Sequence, residues 1–173
     1  MKKLKTTLLL VATTLAIIVT NAQETTVTIE FDNAETALEV VKKYVTALHE
    51  GDADRMSAQL AEKATVYGLN GGPDSLTVTE HTNYYTRSVA TYDHTITNDL
   101  YLPVKVENNW NEGEWILTWG TNTITHKKTG AKTIIPYHTA NLVQNGKIIL
   151  MQNYYDLLNV VKTQGLSVNG PIK

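Results

Sequence analysis

From Ala34 the chain repeats apolar residues at helical spacing. Leu38, Val41, Val45 and Leu48 recur every three or four positions, and Ala34, Ala37 and Tyr44 widen the stripe, which predicts an amphipathic helix. Asp32 and Glu35 stand three apart ahead of it, the spacing of a capping box, and Gly51 supplies a stop. Asp52 opens a second, shorter helix to about Leu60. Ala64–Leu69 reads as a strand and Asn70–Asp74 as a loop. His81, Tyr84, Tyr85 and Val89 then share one face of a third helix over Thr79–Tyr92. Beyond it the period changes to two. His94–Glu107, Glu114–His126, Thr133–Val143 and Lys147–Tyr155 alternate as strands, joined by short Asn/Gly-containing hairpin connections. An amphipathic piece from Asp156 to Gly165 closes the chain, and Gln23–Phe31 reads as an extended arm or a short first strand.

Helices followed by long antiparallel strands define an α+β plan. The expected architecture is a cone-shaped α+β barrel, with about three helices packed on a strongly curved, mainly antiparallel sheet. No repeat or linker divides it, so 33–173 reads as one domain behind an arm at 23–32. A sheet wrapped around its longest helix leaves a cavity at one end, and such concave, mostly apolar sites are where ligands bind.

The N-terminus changes the picture of where this fold works. Lys2, Lys3 and Lys5 precede an apolar run, Thr6–Val19, and Thr20-Asn21-Ala22 presents small residues for cleavage. The run is too short and too rich in threonine for a stable membrane anchor. Residues 1–22 are therefore expected to be a cleaved export signal, placing the mature chain in a periplasm or beyond. Without Lys2, Lys3 and Lys5 the chain holds 12 basic and 17 acidic residues, a balance that disfavours nucleic acid and anionic membranes as partners. With no cysteine anywhere, the fold rests on burial alone.

Candidate chemistry concentrates at the end of the last strand. By strict alternation Ile148, Leu150, Gln152, Tyr154 and Asp156 share one face, with Ile149, Met151, Asn153 and Tyr155 on the other. If the first set faces the cavity, Asp156 against an apolar wall suits a general base, although Asp at this position equally suits a helix N-cap. His138, mid-strand beside Pro136, is a second proton carrier or a hydrogen-bonded wall residue; the proline suggests an edge or bulge there. His81 and Tyr85 (i, i+4) and Tyr67 are candidate ligand contacts, or aromatic packing between helix and sheet. Trp115 and Trp119 share parity with Leu117 and suit core or a dimer interface. The histidines show no metal-ligand spacing, the serines no nucleophile elbow, and Gly71-Gly72 precedes a proline rather than a helix.

Three stretches carry a family resemblance: "ALEVVKKYVTALHEGDADRM", "WGTNTITHKKTGAK" and "NGKIILMQNYYDLLNVVKTQG". In their order the chain resembles the nuclear transport factor two-like superfamily, and within it the SnoaL-like polyketide cyclase group, from about Asn33 to Gly165. The resemblance implies a cofactor-free acid/base site with Asp156 as its acid/base residue, and a homodimer through the sheet face. Leu150 and Gln152 stand where the cyclases usually have Glu and Trp. The expected function is capture of a small, partly apolar molecule with cofactor-free isomerase, cyclase, dehydratase or hydrolase chemistry. The alternative is a non-catalytic binding or dimeric interaction module. Asp156 and His138 are the expected catalytic pair. Tyr154, Gln152, Tyr67, His81, Tyr85 and Trp119 are the expected ligand contacts.

Overall fold

The computed structural model describes residues 25–167, so the expected export signal at 1–22 lies outside the described residues. Among these residues four helices pack on a seven-stranded sheet in the order β1-β4-β5-β6-β7-β2-β3. In chain order these are β1 (Thr26–Thr28), α1 (Ala34–Glu50), α2 (Ala53–Ser57), β2 (Leu60–Tyr67), β3 (Ser75–Leu76) and α3 (Val78–Thr91). There follow β4 (Tyr92–Glu107), β5 (Gly113–His126), β6 (Lys132–Gln144), β7 (Lys147–Tyr155) and α4 (Leu157–Thr163). All neighbours are antiparallel except β2 and β7. The sheet is curved but unclosed, so the expected α+β class holds while the barrel is an open one.

Local chemistry sets most boundaries. Gly51, at φ 73°, ends α1 by giving its N–H to Leu48 O, and Asp52 then caps α2 by accepting from Arg55 N at 2.9 Å. That second helix stops at Ser57 rather than Leu60. Gln59 O instead accepts from Ile148 N at 2.9 Å, drawing the segment into the sheet beside β7. The capping box expected at Asp32 and Glu35 does not form. A turn from Phe31 O to Ala34 N delays the helix start, leaving Asn33 at the N-cap with no side-chain capping bond; its Nδ2 donates instead to Glu114 Oε1 at 3.4 Å. The box belongs to α3, where Thr77 and Glu80 bond reciprocally. The β6–β7 hairpin turns on Asn145 and Gly146, both at positive φ, as the Asn-Gly pair favours.

The main core lies between α1, α2, α3 and the concave face of the sheet. Val41, Ala47, Met56, Val66, Ile116, Ile148 and Met151 are sealed there. A smaller apolar cluster of Val104, Trp115 and Ala140, joined by Leu117, Leu142 and Leu150, covers the convex face.

One irregularity decides what faces where. Opposite β6, Val143 pairs with Ile148 but Leu142 pairs with Leu150, so Ile149 is an extra residue, a β-bulge. The bulge inverts the parity of everything after it. Ile148 and Met151 are both core, and Asn153 and Tyr155 beyond them line the cavity, while Leu150 and Gln152 turn to the convex side; Tyr154, exposed at the strand end, also lines the cavity. Strict alternation along β7 therefore assigns the wrong face to Gln152. Pro136 pairs with Thr121, one residue beyond the last β6–β7 pair, Tyr137 with Tyr155. There β6 has lost one neighbour and is locally an edge, which accommodates proline's missing donor.

Candidate functional site

A cavity of about 360 Å³ opens between α1, α3, α4 and the concave face of β4 to β7. Val41, Val45 and Leu48 of α1 and Ile96, Ile124 and Ile135 of the sheet make its apolar surface. Seven of the chain's nine tyrosines also line it: Tyr44, Tyr84, Tyr85, Tyr92, Tyr137, Tyr154 and Tyr155. Among the lining residues there is no Asp, Glu, Lys or Arg. The site is thus apolar with neutral hydrogen-bonding groups.

Several of those groups are spoken for. Tyr155 donates to Leu69 O at 2.5 Å, and burial beside Tyr84 pushes its phenol well up. The Tyr44 hydroxyl lies 2.8 Å from His81 Nε2, the Tyr85 ring stands edge-on to Tyr44 with centroids 6.5 Å apart, and burial raises both phenols strongly. Others are vacant acceptors or donors. Asn141 is fully buried, and its Nδ2 donates to Ile116 O at 2.9 Å and to Thr139 Oγ1 at 2.8 Å, yet its Oδ1 has no partner. Asn122 Oδ1 and the Tyr137 hydroxyl are likewise unpartnered, and burial pushes the Tyr137 phenol up to about 12. Buried polar atoms normally find partners, so three vacant ones around one cavity mark places for ligand atoms or water. Gly120 makes room for the third of them: a Cβ there would sit 2.8 Å from the Tyr137 oxygen.

At the junction of α3 and β4 lies a further group. The helix runs into the strand without a loop, since Thr91 ends one and Tyr92 begins the other. Ser88 in the last helical turn thereby meets His94 on the strand, with Oγ 3.0 Å from Nε2. On the other side of the ring, Asn122 Nδ2 is 3.0 Å from His94 Nδ1. Asn122 pairs with Ile96, two residues on from His94, so both side chains share the concave face. Burial holds the His94 imidazole below its usual range, hence neutral.

The sequence-derived candidates are distributed differently from expectation. Tyr85 lines the cavity, and His138 and Tyr154 reach it. His81 is completely buried behind the wall, supporting Tyr44 and packing at a tilt with its ring centroid 4.9 Å from that of Tyr85 rather than facing a ligand. Trp119, His138 and Tyr154 form a cross-strand stack, with ring centroids 4.7 Å and 5.6 Å apart. His138 donates Nδ1–H to Thr118 O, and Tyr154 donates to Gln152 Oε1 at 2.7 Å. Trp119 and Gln152 stand on the convex side of that stack and do not line the cavity, nor does Tyr67, whose carbonyl accepts from Asn153 Nδ2 at 2.9 Å. Asp156 does not line it either. It caps α4, accepting from Asn159 N at 2.9 Å, and is not brought together with His138. Through that cap it positions Leu157, Val160 and Gln164, which close one side of the cavity.

Sequence reasoning passed over Ser88, His94, Asn122, Tyr137 and Asn141. A signal existed for the last two. Tyr137, Thr139 and Asn141 alternate with His138, Ala140 and Leu142, a polar inner face on a strand whose neighbours are apolar.

The fold has solved relatives. A solved structure of a candidate isomerase from Bacillus subtilis superposes with a TM-score of 0.64 at 16% identity, covering 79% of this chain and 98% of that one. A candidate polyketide cyclase from Xanthomonas campestris gives 0.62 at 19% identity, covering 76% and 98%. A protein of ketosteroid isomerase-like fold from Catenulispora acidiphila, solved in complex with trimethylamine, gives 0.58 at 16% identity, covering 75% and 94%. No curated protein matches the chain in sequence. Residues 41–151 match the SnoaL-like domain, a span running from the cavity wall of α1 to the core of β7, and the chain belongs to that family.

Proposed function

We propose that this is an exported protein whose cavity takes up a small, neutral, partly apolar molecule and acts on it by cofactor-free proton transfer. The observation that carries the reading is the lining: aliphatic walls, many phenols, unpartnered polar atoms, and no formal charge among the described residues that line it. A charged ligand would lose its hydration there with no counter-charge, whereas a carbonyl or hydroxyl could bond Tyr137 or Asn122. Neighbours named as an isomerase and as a polyketide cyclase, and one holding trimethylamine, are consistent with a small-molecule site. Export rests on the leader-like residues 1–22.

The test is displacement of a neutral solvatochromic dye such as prodan. Ile135→Trp, which fills the cavity, is expected to lower dye affinity by about tenfold or more. Tyr137→Phe removes a hydroxyl with no partner in the fold, so stability should hold while affinity for carbonyl ligands drops by roughly tenfold. Wild-type protein that takes up no dye, or an Ile135→Trp variant that binds it equally well, would sink the cavity reading.

We also propose that a second copy of the chain covers the convex face. Leu100, Leu102, Trp119 and Tyr154 are exposed there around the apolar cluster of Trp115, Leu117 and Leu150. Trp119→Glu is expected to shift sedimentation from dimer to monomer. A wild-type chain that sediments as a monomer at tens of micromolar removes this part of the proposal.

A further inference from the structure

We propose that Ser88, His94 and Asn122 form a nucleophile, base and orienting set, which would make the cavity an acyl-transfer site for small neutral esters or similar activated acyl compounds. The inference rests on the cavity reading above and adds the chemistry. Three observations support it. The distances from Ser88 Oγ to His94 Nε2 and from Asn122 Nδ2 to His94 Nδ1 are both 3.0 Å, the spacing at which a base accepts from a nucleophile while a third group fixes the ring. All three residues line the same cavity. Asn122 Oδ1 is buried without a partner.

The vacant Asn122 oxygen bears on where the imidazole proton sits. Amide oxygen and nitrogen are interchangeable by a half-turn of the side chain. Turning Asn122 over sets Oδ1 against Nδ1–H of His94 and leaves the Nε2 lone pair facing the serine hydroxyl. The same turn gives Nδ2–H to the cavity as a donor. Near neutral pH the buried imidazole is uncharged and able to accept a proton.

The reaction balances without a cofactor. Ser88 Oγ attacks the acyl carbon as its proton passes to His94 Nε2, and the carbonyl π pair moves to oxygen. Asn122 Nδ2–H and the vacant Tyr137 hydroxyl are unengaged cavity donors for that oxyanion. Collapse breaks the bond to the leaving alkoxide, which takes the proton from Nε2 and departs as an alcohol. Water, deprotonated by His94, then releases the acyl group as an acid and restores Ser88.

The experiment uses a fluorophosphonate with a short alkyl chain, read by intact mass and peptide mapping. Ser88 Oγ forms the bond to phosphorus, fluoride leaves, and its proton is carried off through His94. The expected result is one adduct per chain, on Ser88. Ser88→Ala should give none. His94→Gln should slow labelling by roughly 100-fold or more. Asn122→Leu should slow it by roughly tenfold and Asn122→Asp, which keeps an acceptor for Nδ1–H, should restore it. Ser57→Ala is the control, since Ser57 bonds Thr82 away from the cavity and should leave labelling unchanged.

If the probe displaces prodan yet labels nothing, or labels wild type and Ser88→Ala alike, the catalytic assignment is overturned and the cavity reading survives. Ser88 would then be a structural tie between α3 and β4, visible as a lower melting temperature in Ser88→Ala. If neither dye nor probe binds, the cavity reading itself has failed.

Discussion

Lowering the pH from 7 to 4.5 is expected to destabilise the folded chain by about 2–3 kcal/mol, with most of the loss traceable to His81. The side chain is fully buried, with Nε2 at the Tyr44 hydroxyl and Nδ1 without a partner. Burial disfavours its charged form and brings its pKa down to about 4, against about 6.5 in an unfolded chain. The sign follows from proton counting. Between those two values the unfolded state binds a proton that the folded state refuses, so stability falls as the pH falls. Each unit in that window costs about 1.4 kcal/mol, and the loss is complete below about pH 4. His94 is shifted the same way, also by burial, and adds to the trend. The carboxylate of Glu80, lowered by its bonds to Thr77, begins to lose its own contribution only nearer pH 4.5 and so leaves the window clear. Urea titrations at half-unit pH steps would measure the slope. His81→Phe keeps an aromatic ring against Tyr85 and removes the ionisation. Its stability should be much flatter between pH 6.5 and 4.5. A wild-type curve that is already flat there, or a variant that falls as steeply, would show that His81 does not drive the loss.

His81 also illustrates what the sequence made legible. Its place on the inward face of α3, four residues before Tyr85, followed from spacing alone. Its burial behind Tyr44, rather than in the cavity, depended on how α1 and α3 meet, and no periodicity reports that. The same division holds across the molecule. The four long strands and the two long helices announce themselves by period, and their bounds fall within two residues of expectation. The open cone follows from their order. The face of β7 did not follow, because one bulged residue, Ile149, reverses every side chain beyond it, and nothing in "KIILMQNYY" distinguishes a bulge from plain alternation. Asp156 shows another limit: one residue type serves as N-cap and as acid/base, and only the geometry of Asn159 N shows that the cap is made. Ser88 and His94 were hidden because the helix–strand junction between them has no loop signal. A serine six residues before a histidine means little until the backbone turns one onto the other.

Gly68→Ala is expected to be among the most damaging single substitutions in the chain, costing about 3–5 kcal/mol and abolishing dye binding. Gly68 follows β2 at φ 81°, a conformation that already costs a side-chain-bearing residue about 1–2 kcal/mol. The greater penalty is steric. A Cβ at this position would lie 2.2 Å from the carbonyl oxygen of Asn153, which is backbone and cannot swing away as a side-chain tip would. Relief requires β7 to move. Asn153 and Tyr155 both line the cavity, and Tyr155 is anchored to Leu69 O beside the same glycine, so the wall would shift with the strand. Gly72 separates the two contributions. It has φ 91° but nothing within 4 Å of its would-be Cβ, so Gly72→Ala should lose only the conformational part and keep its affinity for dye. Chemical denaturation of both variants, with prodan binding measured alongside, decides the matter. Equal losses would mean that backbone strain alone is at stake and that β7 can yield without cost. A large loss confined to Gly68→Ala would show that the close approach of β2 to β7 holds the cavity wall in place.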